Sequence, residues 1–441
     1  MNKNTELLKI VKEQHKDKAK GIYSVCTANK FVIEAALEKA VEDNSHILIE
    51  STCNQVNQFG GYTGMKPKEF HNFVMKLADK VGLESSKVIL GGDHLGPNPW
   101  KNEKSTIAMK NASKMVRDYI LAGYNKIHLD TSMHLADDLD DYNKPLDPDL
   151  IAARTATLAE VSEKAYRKLR KEKPSAEPPI YVIGTEVPVP GGTDSSDNRI
   201  EVTHVEDFEE TVSIFKKYFF KNNLDDAWQR VIATVVQPGV EFGAHDIEDY
   251  NRENALRLSK QLKEHQNLIF EAHSTDYQTP RALRELVQDG FAILKVGPAL
   301  TYAMREALFD LSFIEEELIN DKKQSKLISK LEEVMINNPE NWQSYYQGEK
   351  NKLKLARKYS LSDRSRYYWS VPELEETVDR LLTNLEEIDI PLTLISQYMP
   401  EQYTKIRNGL IENKPRVLLK DRIKGVLNTY AIATNTISAV K

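Results

Sequence analysis

Short apolar runs recur along the chain as far as Gly297, each followed by a longer stretch with helical periodicity. The runs are GIYSV from Gly21, HILIE from His46, VILGG from Val88 and KIHLD from Lys126, then YVIGTE from Tyr181, VIATVVQ from Val231, LIFEAH from Leu268 and FAILKVG from Phe291. Each is short, rich in β-branched residues and without strict alternation, which is the pattern of a parallel strand buried on both faces. Between them, FVIEAALEKAV, PKEFHNFVMKLADKV and ALRLSKQLKEH read as amphipathic crossover helices. Eight strand–helix units in about 310 residues predict an α/β fold, a (β/α)8 TIM barrel. An open doubly wound sheet is the rival, but it rarely needs eight units, and no G-x-G-x-x-G follows the first run.

Past residue 310 the strand pattern stops. LSFIEEELIN, QSKLISKLEEVMI, VPELEETVDRLLTNLEE and PRVLLKDRIKGVLNTY are helical. The predicted organisation is a barrel over residues 1–310 and a helical extension over 311–441 packed on it. The Lys/Arg-rich segment EKAYRKLRKEKPSAEPP before the fifth run reads as a solvated helix face. Charge narrows the function classes: 60 Lys+Arg against 66 Asp+Glu give a net charge of −6, without the basic excess of a nucleic-acid surface. Two cysteines, Cys26 and Cys53, cannot build a secreted disulfide framework. The charged opening stretch has no apolar core of signal-peptide length, and no window approaches the roughly 18 apolar residues of a membrane helix. The expectation is a cytoplasmic protein whose partners are small molecules or other subunits, further copies of itself included, and neither nucleic acid nor membrane.

The runs end on polar residues. Ser24 and Cys26 follow the first, Glu50 the second, Asp93 and His94 the third, Asp130 the fourth, Glu186 the fifth and Gln237 the sixth. Glu271 and His273 end the seventh, and Lys295 lies in the eighth. In a TIM barrel these ends converge on the C-terminal face, where sites are built. Adjacent Asp93 and His94, after two glycines, can put an imidazole on a metal and a carboxylate beside a substrate as acid or base. Glu186 before a Pro/Gly loop suits a metal ligand or a general base, and Gly191-Gly192 could line a phosphate. His273 and Asp130 complete an N/O ligand set for a divalent ion, with Zn2+ first and Mn, Ni or Co as alternatives. His128 and His134 are expected to be structural or loop residues. Amides at Asn54, Gln55, Asn57 and Gln58 can donate to and accept from a sugar's hydroxyls. Arg364 and Arg366, in YSLSDRSRYYW, are the kind of residue that holds phosphate through bidentate, charge-assisted bonds. With Glu50, Gln237 and Lys295, these make up the candidate substrate-binding set.

IESTCNQVNQFGGYTGM, GGDHLGP, IGTEVPVPGG, VVQPGVEF, EAHSTDYQT, ILKVGPALT and YSLSDRSRYYW together resemble the Z-subunit family of D-tagatose-1,6-bisphosphate aldolases (GatZ/KbaZ/AgaZ type), through nearly the whole chain. The resemblance implies a role in galactitol or N-acetylgalactosamine breakdown, as a noncatalytic partner that supports a class II aldolase catalytic (Y-type) subunit. Relatives have been called tagatose-6-phosphate kinases, but this sequence has no G-x-x-x-x-G-K-[ST] loop. The chain is also similar, more remotely, to the class II aldolases. That resemblance makes Asp93 the acid/base, His94 and His273 zinc ligands, and Glu186 with Gly191-Gly192 the carboxylate-plus-diglycine loop. Leu129-Asp130 matches the strand-four pattern. The sixth strand departs from it: VVQPGVEF carries Gln237 where those enzymes have a zinc-binding histidine, so a weakened metal site is expected. A retained but modified site suggests an alternative function, a metal-dependent ketose or ketose-phosphate 4-epimerase acting between tagatose and fructose.

Overall fold

The computed structural model describes residues 3–138, 145–184 and 200–438. All eight runs form strands: β1 Ile22–Val25, β2 Ile47–Thr52, β3 Val88–Leu95, β4 Lys126–Leu129, β5 Ile180–Ile183, β6 Val231–Val235, β7 Ile269–Ala272 and β8 Phe291–Val296. They pair in parallel and in sequence order, and β8 closes on β1 with Ile22 opposite Ile293 and Val25 opposite Val296. The fold is a (β/α)8 TIM barrel with C-terminal helices. A small antiparallel ribbon, Glu241–Phe242 with Ile247–Glu248, follows β6.

A strand's period of two sorts the barrel interior into layers. The lowest is apolar, with Ile22, Leu48, Ile89, Ile180, Ile232, Ile269 and Ile293 in one buried cluster. The N-terminal helix Lys3–Gln14 adds Leu7, Ile10 and Val11 to that cluster and so stoppers the lower end. Each such side chain contributes about 1.5–3 kcal/mol of burial. Two residues further along their strands stand Ser24, Glu50, Glu271 and Lys295, joined by Lys126 at the start of β4, all buried. The polar layer therefore begins inside the barrel, below the loops.

Helix ends follow local chemistry. Asn29 caps Lys30–Glu42 by accepting from the amides of Phe31 and Val32, and Gly82 and Gly123 end their helices with positive φ. Helix Pro298–Leu318 runs through residue 310, so the last barrel helix continues into the extension. The closing helix Pro415–Ala433 packs on Lys30–Glu42, Pro280–Gln288 and Pro298–Leu318. The Gly21 amide donates to the Thr434 carbonyl at 3.0 Å, and the Tyr430 hydroxyl to the Thr275 carbonyl at 2.7 Å. Barrel and extension share one hydrophobic core. Among the described residues no helix is long and apolar enough to cross a membrane.

Candidate metal centre

Asp93 and His94 at the end of β3, His128 in β4 and His273 just past β7 bring one ligand-type atom each within 4.8 Å of the others, and all four residues are buried. In a regular strand Asp93 and His94 would face opposite sides. They do not, because His94 has φ of 47° and the β3–β4 register slips between Gly92 and Leu95. A left-handed non-glycine residue costs about 1–3 kcal/mol and persists where the surroundings hold it, often at functional sites. Ser274, beside His273, has the same conformation, with φ of 51°. The three imidazole rings lie 4.8 to 5.5 Å apart.

Each ring is oriented by a second group. His94 Nδ1 lies 3.0 Å from Asp130 Oδ2, while Asp130 Oδ1 accepts from the amide and hydroxyl of Ser132. Burial works against the Asp130 charge, but the His94 contact outweighs it and holds the carboxyl well below the usual range. His128 Nε2 sits 3.2 Å from the Gly184 carbonyl, which can only accept, so the ring hydrogen belongs on Nε2. Nδ1 then carries the ring's one lone pair, which accepts from the His94 amide at 3.2 Å and faces Asp93 Oδ1 at 3.2 Å, so a bound cation would take that pair from the amide. Burial lowers the His128 pKa and favours this neutral form. A lone pair and a carboxylate oxygen facing each other at that distance repel unless a proton or a cation lies between them. Neutral imidazoles and an ionised carboxylate are also the donor set a divalent ion requires. These residues fit a metal.

Beneath the cluster lies a buried ion network. Lys126 reaches Glu50 at 2.7 Å and Glu271 at 2.6 Å; Lys295 bonds Glu50 and lies 2.8 Å from Asp93 and 3.8 Å from Glu271. Ser24 donates to Glu50, and His273 Nε2 is 3.1 Å from Glu271. Burial would raise Asp93 and Glu271, but Lys295 acting on the first and Lys126 on the second keep both well below the carboxylate range. Burial likewise opposes the charge on Lys295, and Asp93 keeps that ammonium protonated. Glycine is required at 91, because a Cβ there would meet Glu50 Oε1 at 2.2 Å.

The sequence-derived candidates fall into three groups. Asp93, His94 and His273 converge, with Asp130 behind His94 as its orienting partner and not among the converging atoms. Glu50 and Lys295 belong to the interior ion network, against the expectation of open substrate contacts. The third group serves the chain's own backbone. Asn57 bonds the Cys53 carbonyl and the amides of Phe59 and Gly61, Gln58 the Asn111 carbonyl, and Gln55 the Thr52 amide. Gln237 accepts from the amides of Gly239 and Val240. Asn54 is exposed on the same loop as Gln55. Arg364 stacks on Tyr345 and donates to the Asn341 carbonyl, whereas Arg366 lines a cavity between barrel and extension. Glu186, Gly191 and Gly192 lie outside the described residues.

β6 carries Gln237, as expected, and His128 of β4 brings a third imidazole to the cluster that the expectation did not include. The expectation for His128 is a structural or loop role, and Lys126 opens its strand without a local sign of function. Their parity with Asp130 was the available signal: 126, 128 and 130 face one side of a strand.

Residues 7–435 match the family described as D-tagatose-1,6-bisphosphate aldolase subunit GatZ/KbaZ-like. The crystal structure of a probable tagatose 6-phosphate kinase from Sinorhizobium meliloti 1021 is 44% identical, covering 94% of this chain and 100% of that one with a TM-score of 0.85. A fructose-bisphosphate aldolase from Campylobacter jejuni aligns at 14% identity over 86% of this chain and 95% of its own, with a TM-score of 0.47. With a match running from the N-terminal helix to the end of the closing helix, this chain belongs to the GatZ/KbaZ-like family of D-tagatose-1,6-bisphosphate aldolase subunits.

Proposed function

We propose that this chain is the Z-type subunit of a class II D-tagatose-1,6-bisphosphate aldolase, acting in galactitol or N-acetylgalactosamine catabolism beside a separate catalytic subunit, and that its barrel mouth holds a divalent ion. The observation that carries the metal assignment is the convergence of Asp93, His94, His128 and His273 within 4.8 Å. Zn2+ suits the three imidazoles best, with Mn2+, Ni2+ or Co2+ as alternatives, and Asp93 stands beside them. Once bound, such an ion polarises a ketose carbonyl and its neighbouring hydroxyl as a Lewis acid. Asp93, kept ionised by Lys295, is the group placed to take a hydroxyl proton and return it. Asp130 holds His94 in one orientation, and the buried Lys126–Glu271–Lys295–Glu50 network fixes the floor of the site.

The same geometry favours a second reading, in which the chain turns over substrate alone as a ketose 4-epimerase. A body used only for docking has no need of three imidazoles held at a strained strand end. In that reaction the C4 hydroxyl proton passes to Asp93 as C3–C4 breaks, with the bond's electron pair left on the C1–C3 fragment. Re-forming the bond on the opposite face of the aldehyde inverts C4 as the proton returns. One experiment separates the readings. The purified chain, loaded in turn with Zn2+, Mn2+, Ni2+ and Co2+, is given tagatose and fructose, free and phosphorylated, and followed by NMR. It is then mixed with a Y-type aldolase subunit and assayed for cleavage of tagatose 1,6-bisphosphate. Enhanced cleavage without epimerisation supports the subunit reading; interconversion by the chain alone replaces it.

A further inference from the structure

A cavity of 430 Å³ opens between the barrel mouth and the extension. Its barrel side comes from the loop after β1, beginning at Cys26, from Gln55 and Tyr62 after β2, and from Gly297 after β8. Cys26 and Gly297 stand one and two residues past Val25 and Lys295, so the cavity begins just above the ion network that contacts Asp93. Its other wall is the extension's Arg366 and Trp369.

The two helix starts that face this cavity are already capped. Asp276 Oδ1 accepts from the amides of Gly297 and Ala299 at 3.0 and 2.8 Å, and Asn29 Oδ1 from those of Phe31 and Val32 at 2.9 and 3.3 Å. In TIM barrels a phosphate commonly occupies such amides after the last strands, and here the chain's own side chains fill the place. Arg366 is different. It donates to the carbonyls of Ser362 and Asp363 and to the Tyr367 hydroxyl, all neutral acceptors, and no carboxylate lies within ion-pair distance of it among the described residues. The Asp363 carboxylate is engaged by Thr301 and Ser365 instead. Trp369 is buried, and its indole N–H has no partner among the described residues. A guanidinium held in place without a direct ion pair among the described residues, beside an unanswered N–H donor, calls for an oxyanion. The exposed rim carries one cation, Lys30, but also Glu375 and Asp379, which disfavour a second negative group there.

We infer that this cavity receives the single anionic terminus of an open-chain ketose, with Arg366 as the residue that recognises it, and that the chain's own ligand is a sugar with one anionic end, not a bisphosphate. The inference deepens the metal-site reading, which would hold the sugar's carbonyl end, and the two can fail separately. Calorimetric titration of the full metal-loaded chain with fructose, fructose 6-phosphate, fructose 1,6-bisphosphate, a 6-carboxylate ketose and inorganic phosphate tests it. Fructose 6-phosphate should bind roughly ten- to a hundredfold tighter than fructose, the range of charge-assisted hydrogen bonds, and the bisphosphate no tighter than the monophosphate. The carboxylate arm shows which oxyanion the pocket prefers. Arg366→Met should erase the gap while leaving fructose binding within about threefold, and Arg366→Lys should restore part of it. Trp369→Phe, which removes only the N–H, should narrow the gap. A gap that survives Arg366→Met in a protein of unchanged melting temperature overturns the inference. So does a further gain from the second phosphate, or the absence of binding by every ligand to wild type. Repeating the titrations on chelator-treated protein separates the two readings: an anion preference that persists without metal keeps the cavity assignment even if no metal is held.

Discussion

His128 shows how much one side chain decides. Its Nε2–H is committed to the Gly184 carbonyl and its Nδ1 faces the cluster, so its removal takes away a donor atom and leaves Asp93 with Lys295 as its remaining close partner. His128→Ala should weaken zinc binding by at least about tenfold, the lower end of what even outer-shell changes do, as read by competition with a chromophoric chelator. Lys295 carries a different load. Without it, Glu50 and Asp93, both buried, lose their shared cation. Lys295→Met should therefore cost about 3–5 kcal/mol of unfolding free energy, the usual effect of orphaning a buried charge. Adding Glu50→Gln should recover part of that loss in a double-mutant cycle. Urea melts of the two singles and the double check it, and additive losses would mean that the two residues are not coupled.

Among the elements, the start of helix Pro298–Leu318 gives the clearest pH signature. Burial pushes the Asp276 carboxyl up to about 6, against the two amides and the Arg366 charge that favour its ionised form. An unfolded aspartate titrates near 3.9, so between about 4 and 6 the folded state keeps a proton that the unfolded state has lost. The contribution of Asp276 is thus greatest below pH 4 and declines as pH rises to 6, by up to about 3 kcal/mol. Asp276→Asn keeps an acceptor for both amides and has no proton to lose. Its stability relative to wild type should climb from pH 4 to pH 7 in guanidinium melts at each pH; a constant difference would place the Asp276 pKa near its ordinary value.

For the molecule as a whole, the aldolase-subunit and epimerase readings make opposite demands on His94. A docking body presents its outer helices, and one buried mouth residue adds little to that surface. On the subunit reading, His94→Ala should still assemble with a Y-type partner in size-exclusion chromatography and leave cleavage of tagatose 1,6-bisphosphate within about threefold, whereas loss of a metal ligand in a catalytic site costs orders of magnitude. The melting temperature must be compared with wild type, because deleting a buried polar group can destabilise by itself. Normal assembly with collapsed cleavage would show that the Z chain's own site takes part. The closing helix has a global role of another kind. It packs on three barrel helices and ties the start of β1 through Thr434. Truncation before Pro415 should expose the apolar faces of those helices and yield insoluble protein, as judged by the soluble fraction on expression.

The eight strands, their parallel order and the convergence of Asp93, His94 and His273 were legible in the chain because they follow from local pattern. Buried parallel strands are apolar throughout, and a barrel brings their C-terminal ends together whatever the loops contain. The rest depended on contacts between distant residues. Nothing local distinguishes Lys126 at a strand start from a solvated lysine until closure of the barrel sets it against Glu50 and Glu271. His128 joins the cluster of ligand-type atoms only in the fold, where the left-handed backbone at His94 leaves the two imidazole rings 4.8 Å apart. The amides of Asn57, Gln58 and Gln237 looked free for a sugar, and the folded loops bind them to their own backbone, since a buried amide without a partner is costly. Arg364 and Arg366 are two residues apart in one motif, yet packing turns one onto Tyr345 and the other to the wall of a cavity that exists only where the extension meets the barrel. Periodicity encodes which residues are inside; which charges and donors meet there is set by chain closure, at sequence separations that no local pattern reaches.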